Sequence, residues 1–92
     1  MALTFEWDKQ KSIRNLEKHG ISFEEASTVF QDTLSLTIND PLHSLEEQRF
    51  VIIGESIERE ILVVVHTQQA RNVRIISARE ATRKERRDYE KR

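Results

Sequence analysis

Two kinds of side chain in this sequence could do chemistry together, and both cluster near the expected ends of strands. His66 closes the apolar run at residues 61–65, Arg74 alternates with Val73 and Ile75, and Arg79 follows Ser77-Ala78, where a strand should give way to a helix. Arginine forks match pairs of phosphate oxygens, and an imidazole moves a proton near neutral pH. That is the minimum for cutting RNA without a metal: one group draws the proton from a 2′-hydroxyl, and cations hold the charge that builds on the phosphorane. A turn over residues 68–72 would bring His66 and Arg74 within a few residues of one another. Each residue also has a plainer explanation. A strand-end histidine is commonly a surface or capping group, and arginines beside a sheet are commonly just solvated.

Other chemistries find less support. His19, His43 and His66 are far apart in sequence and form no HxH or HExxH pattern, and the chain has no cysteine, so no metal-ligand spacing is present. Gly20 and Gly54 are the only glycines, too few for a phosphate-cradling loop, and no serine sits in a nucleophile elbow. No cofactor is expected.

The elements that must position these residues follow from periodicity and capping. Asp8 is a good N-cap for a helix over residues 9–18, with Ile13 and Leu16 as a thin apolar stripe. Gly20 reads as the left-handed residue that ends it. Ser22 and Glu25 match a capping box for a second helix, whose core face is Phe23, Ala26, Val29 and Phe30. Leu34, Leu36 and Ile38 then alternate with Thr33, Ser35 and Thr37 as a half-buried strand, broken at Asn39-Asp40-Pro41. Residues 49–54, 61–65 and 73–77 supply three more strands, joined too briefly for parallel crossovers. A final charged helix carries Ala78, Ala81, Thr82, Glu85 and Tyr89 on one stripe. The expected order is ααββββα, an α+β fold in one domain over residues 1–92. Trp7, ahead of the first helix, reads as a core plug in preference to a base-stacking platform.

Charge is distributed unevenly. The formal net charge is −1, but residues 1–67 hold six Lys/Arg against twelve Asp/Glu, a net −6, while residues 68–92 hold nine against four, a net +5. Such asymmetry marks a polyanion contact or a recruited acidic partner, with a solvated terminal helix as the plain alternative. A pI near 6.3 confines any nucleic-acid contact to a local patch. The absence of cysteine fits a reducing compartment, and no apolar run approaches the ~18 residues of a membrane span. With no signal-peptide pattern at its start, the chain is expected to be cytoplasmic.

A set of short motifs runs through the chain in a recognisable order: Phe5-Glu6-Trp7-Asp8, Lys18-His19-Gly20-Ile21-Ser22-Phe23-Glu24-Glu25-Ala26, Val29-Phe30-Gln31-Asp32, Ile61-Leu62-Val63-Val64-Val65-His66-Thr67 and Arg74-Ile75-Ile76-Ser77-Ala78-Arg79-Glu80-Ala81-Thr82, closing with Glu85-Arg86 and Tyr89. Together they resemble the BrnT family of bacterial toxins. The resemblance implies a RelE-like fold with two N-terminal helices, a four-stranded antiparallel sheet and a C-terminal helix. It also implies a metal-independent endoribonuclease of a type II toxin–antitoxin system, which arrests growth by cutting RNA, free or ribosome-associated. The implied partner is a cognate, BrnA-like antitoxin with a DNA-binding part, so that operator DNA is met only through the antitoxin. His19, His66, Arg74 and Arg79 lie inside matching motifs and are the candidate catalytic residues. Lys18, Arg49, Arg83, Arg86 and Arg87 are candidate RNA contacts. A different class remains open at this point: a non-catalytic subunit that binds the antitoxin or nucleic acid within a repressor complex.

Overall fold

The structure is a computed structural model that describes residues 2–40 and 47–91; Pro41 and His43 lie outside the described residues. The elements run β1 (Thr4–Glu6), α1 (Lys9–His19), α2 (Phe23–Thr28) continuing into a 3-10 turn (Val29–Gln31), β2 (Leu36–Asn39), β3 (Phe50–Glu55), β4 (Ile61–Gln69), β5 (Asn72–Glu80) and α3 (Arg83–Glu90). The sheet has five strands in the order β1-β5-β4-β3-β2. β1 pairs with β5 in parallel, and the other neighbours are antiparallel. This corrects the expected RelE-like arrangement of two leading helices and four antiparallel strands. Thr4-Phe5-Glu6 is too short for a hydrophobic period to declare it, and only pairing across the chain makes it a strand.

Local signals explain the helix ends. Asp8 Oδ1 accepts from the Lys11 amide at 3.0 Å, and Gly20, at φ 73°, closes α1 by donating to the Leu16 carbonyl at 2.9 Å. Ser22 Oγ accepts from the Glu25 amide at 3.0 Å, yet the Glu25 carboxylate takes the Ser56 hydroxyl at 2.7 Å. The first capping box is therefore half made, and its free arm ties α2 to the β3–β4 loop. The complete box stands at Thr82 and Glu85, opening α3. α3 consequently starts later than expected: Ala78 and Arg79 belong to β5. β2 also starts late, because Asp32 folds residues 32–35 into a turn, its Oδ1 accepting from the Leu34 amide at 2.9 Å. The β4–β5 hairpin runs well past the apolar runs and closes on Ala70-Arg71, with Ala70 at φ 55°.

Each face of the sheet carries its own cover. On one, Ile52, Leu62, Val64, Val73, Ile75 and Ala78 pack under Ile21, Phe23, Ala26 and Val29, with Trp7 edge-on to Phe23 at 5.9 Å, the core role expected of it. On the other, Ile53, Ile61 and Val63 lie beneath Ala81 and Tyr89. α1 contributes little apolar surface, since Ile13 and Leu16 are exposed. Its buried residue is Asn15, whose Nδ2 donates to the Ile21 and Ala78 carbonyls at 2.9 Å each while its Oδ1 accepts from the Ala78 amide at 3.1 Å. The two bonds to Ala78 anchor α1 to β5, and the third ties it to the segment that leads into α2. Gly54 is where the 3-10 turn crosses β3: a Cβ there would lie 2.8 Å from Val29 Cγ1.

A break in the β4–β5 pairing decides which side chains share a face. Between Val65 and His66 the register slips: Val65 faces Ser77, His66 faces Ile75, and Ile76 is left as an extra residue in β5. The bulge inverts the alternation of β5. Ile75 and Ala78, three residues apart, therefore share the helix-covered face, and Arg74 and Arg79, five apart, share the opposite one.

Candidate functional site

Arg74 lies opposite Thr67 and Arg79 opposite Val63, so both guanidinia rise from the face that α3 only partly covers. Without the bulge, strict alternation would send them to opposite sides. Each is held by a carboxylate from outside the sheet. Arg74 Nη2 donates to both oxygens of Glu47, at 2.6 and 2.7 Å. Arg49, just before β3, lies 3.9 Å from the same Glu47 and joins this end of the face; its Nε is buried without a partner among the described residues. Arg79 is held end-on by Glu85, Nη1 to Oε1 at 2.8 Å and Nη2 to Oε2 at 2.9 Å. The hydrogen bonds from Arg79 pull the Glu85 carboxyl down to about 2, and the same contact raises Arg79 further above its ordinary value. Both therefore stay charged throughout the neutral range. The side chains of Arg74 and Arg79 remain about two-fifths exposed, so a phosphate can reach them.

His66 is not on this face. His66 is 1% exposed and points into the helix-covered core, edge-on to Phe30 at 4.8 Å and stacked with Phe50 at 5.8 Å. Burial lowers its pKa, only partly opposed by a hydrogen bond with the Val64 backbone, and its Nδ1 has no partner among the described residues. Pairing of β4 with β5 does bring His66 beside Arg74 in register, as the sequence suggested, but on the other side of the sheet. His19 and Lys18 are exposed in the last turn of α1, the helix that Asn15 ties to the edge of β5. The candidate set therefore divides: Arg74 and Arg79 share one face, His66 is buried under the other, and His19 stands apart at the end of α1.

Arg83, Arg86 and Arg87 lie along α3, beside this face. The apolar seam expected beside them is already used within the chain. Ala78 is buried in β5 beneath Asn15, and Ala81 and Tyr89 pack on the second core cluster, with the Tyr89 hydroxyl donating to Asp32 Oδ2 at 2.5 Å. Glu47 and Glu85 were missed as residues of this face. For Glu85 the signal was present, since Thr82-Arg83-Lys84-Glu85 spells a capping box. For Glu47, in an irregular segment before β3, no sequence signal exists. Among the described residues no three His, Cys, Asp or Glu side chains converge as a metal site, and no helix is long and apolar enough to cross a membrane.

Fold and face together define a small α+β protein whose mixed sheet presents arginines on its less covered side. The model of the family described as "Ribonuclease toxin, BrnT, of type II toxin-antitoxin system" matches residues 7–85, and the chain belongs to that family. It is thus a ribonuclease toxin, and a type II system implies an antitoxin partner. The crystal structure of the Brucella abortus ribonuclease toxin, BrnT, has the same fold, with a TM-score of 0.64 and 22% identity over 89% of this chain and 100% of that one. No curated protein sequence matches the chain.

Proposed function

We propose that the toxin is a metal-independent endoribonuclease that cuts RNA at the sheet face carrying Arg74 and Arg79, and that it arrests growth until a cognate antitoxin covers this face. The observation that supports the reading is the bulge at Ile76, which puts both guanidinia on one partly open surface. There they hold backbone phosphate and the charge that develops on the phosphorane, as preorganised donors do. Arg49 extends the face, and Arg83, Arg86 and Arg87 line the adjoining helix as non-specific phosphate contacts. With His66 buried, the proposed acceptor of the 2′-hydroxyl proton is Glu47, which stands on this face beside Arg74. Lys18 and His19 then serve as outlying contacts for a longer RNA. The antitoxin, with its DNA-binding part and acidic or amphipathic elements, is proposed to bury at least ~1,000 Å² in total. In a cytoplasmic setting it would carry the toxin to operator DNA.

The test is incubation of the pure chain with single-stranded RNA and with ribosome-bound RNA in the presence of chelator. The expected products end in 2′,3′-cyclic phosphate, the mark of attack by the neighbouring hydroxyl. Intact RNA in both settings would remove the catalytic reading.

A further inference from the structure

A guanidinium has five N–H donors: an end-on pair from Nη1 and Nη2, a side-on pair from Nε and Nη2, and one more on Nη1. In Arg79, Glu85 takes one hydrogen from each terminal nitrogen, and the Glu80 carbonyl accepts a further one from Nη1 at 3.2 Å. The two that remain are Nε–H and the second hydrogen of Nη2, which have no partner among the described residues. They lie parallel on one edge, the geometry that meets two oxygens of a phosphate. Glu85 is itself fixed: Oε1 also accepts from the Thr82 amide at 2.9 Å, and the Glu85 amide donates to Thr82 Oγ1 at 3.2 Å. The helix that carries it is docked by Ala81 and Tyr89 on Ile53, Ile61 and Val63.

We infer that Glu85 is a positioning residue of the ribonuclease site, clamping Arg79 so that its side-on edge, Nε–H with Nη2–H, receives two oxygens of one RNA phosphate. This rests on the proposed role of Arg79 and extends it to a residue with no direct contact to RNA. The Glu85 carboxyl, held down to about 2 by its hydrogen bonds with Arg79, is too weak a base to serve well as a proton acceptor, which agrees with a clamp. Arg74 lacks such a clamp: a single nitrogen reaches both Glu47 oxygens, which leaves its plane free to turn.

The experiment compares Glu85→Gln, Arg79→Ala, their double variant and Thr82→Ala in the full chain. Glutamine keeps the carbonyl that caps α3, but it sets an amide donor against Nη2 and so breaks the clamp. Thr82→Ala weakens the helix start by loss of a cap yet leaves the Arg79–Glu85 pair in place. Growth arrest and RNA cleavage are read alongside the ¹⁵N resonance of Arg79 Nε–H during titration with an RNA oligonucleotide carrying 2′-deoxy substitutions, which binds without being cut. In the parent chain that resonance should shift on binding; in Glu85→Gln it should broaden and shift less. The same variant should lose about tenfold in kcat with a smaller change in KM, Arg79→Ala about 10²–10³-fold, and the double variant no more than Arg79→Ala alone. Thr82→Ala should stay within about twofold of the parent. Full activity in Glu85→Gln with an inactive Arg79→Ala would overturn the clamp alone. Equal losses in Thr82→Ala and Glu85→Gln would reduce Glu85 to a helix cap. An active Arg79→Ala, or an Nε–H signal indifferent to RNA, would overturn the site itself.

Discussion

Burial of His66 between Phe30 and Phe50 has a consequence for stability that does not depend on catalysis. Desolvation holds the imidazole neutral in the fold, so its pKa lies below the ordinary 6.5 that it regains on unfolding. A base depressed in this way leaves stability intact above pH 6.5. As pH falls below that value the unfolded chain takes up a proton the folded one refuses, and stability drops by at most about 1.4 kcal/mol per pH unit. Urea titrations across the acid side of neutrality should show this slope in the parent and lose it in His66→Leu. Equal slopes in the two proteins would mean that the buried imidazole is protonated in the fold. At this scale the sequence was a partial guide. The arginine and histidine types were visible, but the face each occupies was not, because one extra residue in β5 reverses the alternation on which such reasoning depends.

Elements were legible where local chemistry specifies them and obscure where distant pairing does. Asp8, Gly20 and Ser22 announce the ends of α1 and α2 by side-chain hydrogen bonds and a positive φ, all readable from residue type. β1 was invisible because three residues carry no period, and the polar half of the β4–β5 hairpin looked like loop although it is fully paired. Gly54 shows the same divide. Its place in an apolar run suggested nothing, yet it is the point where the 3-10 turn presses on β3, with Val29 Cγ1 2.8 Å, Ser35 Cβ 3.1 Å and Asp32 Oδ2 3.2 Å from any added Cβ. The Asp32 oxygen cannot easily withdraw, as it already accepts from the Glu55 amide at 2.8 Å. Gly54→Ala should therefore destabilise the chain by about 1–3 kcal/mol through overpacking. A denaturation midpoint equal to that of the parent would show that the turn lifts freely from the strand.

Over the whole molecule, a net −6 in residues 1–67 and +5 in residues 68–92 make a dipolar protein. The fold concentrates the positive end on β5 and α3. Because Ala81 and Tyr89 already face inward, α3 offers a partner mainly charge, which acts on the rate of encounter more than on the lifetime of a complex. Reversing Arg83, Arg86 and Arg87 to glutamate should slow antitoxin association about tenfold and flatten its dependence on salt. Unchanged association kinetics would place the antitoxin on the acidic remainder of the surface. Asn15 bears on how such a molecule keeps to itself. Past Arg74, β1 no longer flanks β5, and a row of main-chain groups would otherwise face outward. The Asn15 amide occupies both the donor and the acceptor of Ala78 in the middle of that row. A strand arriving from another copy would find its register interrupted there, so one side chain stops the sheet from growing into an aggregate along this edge.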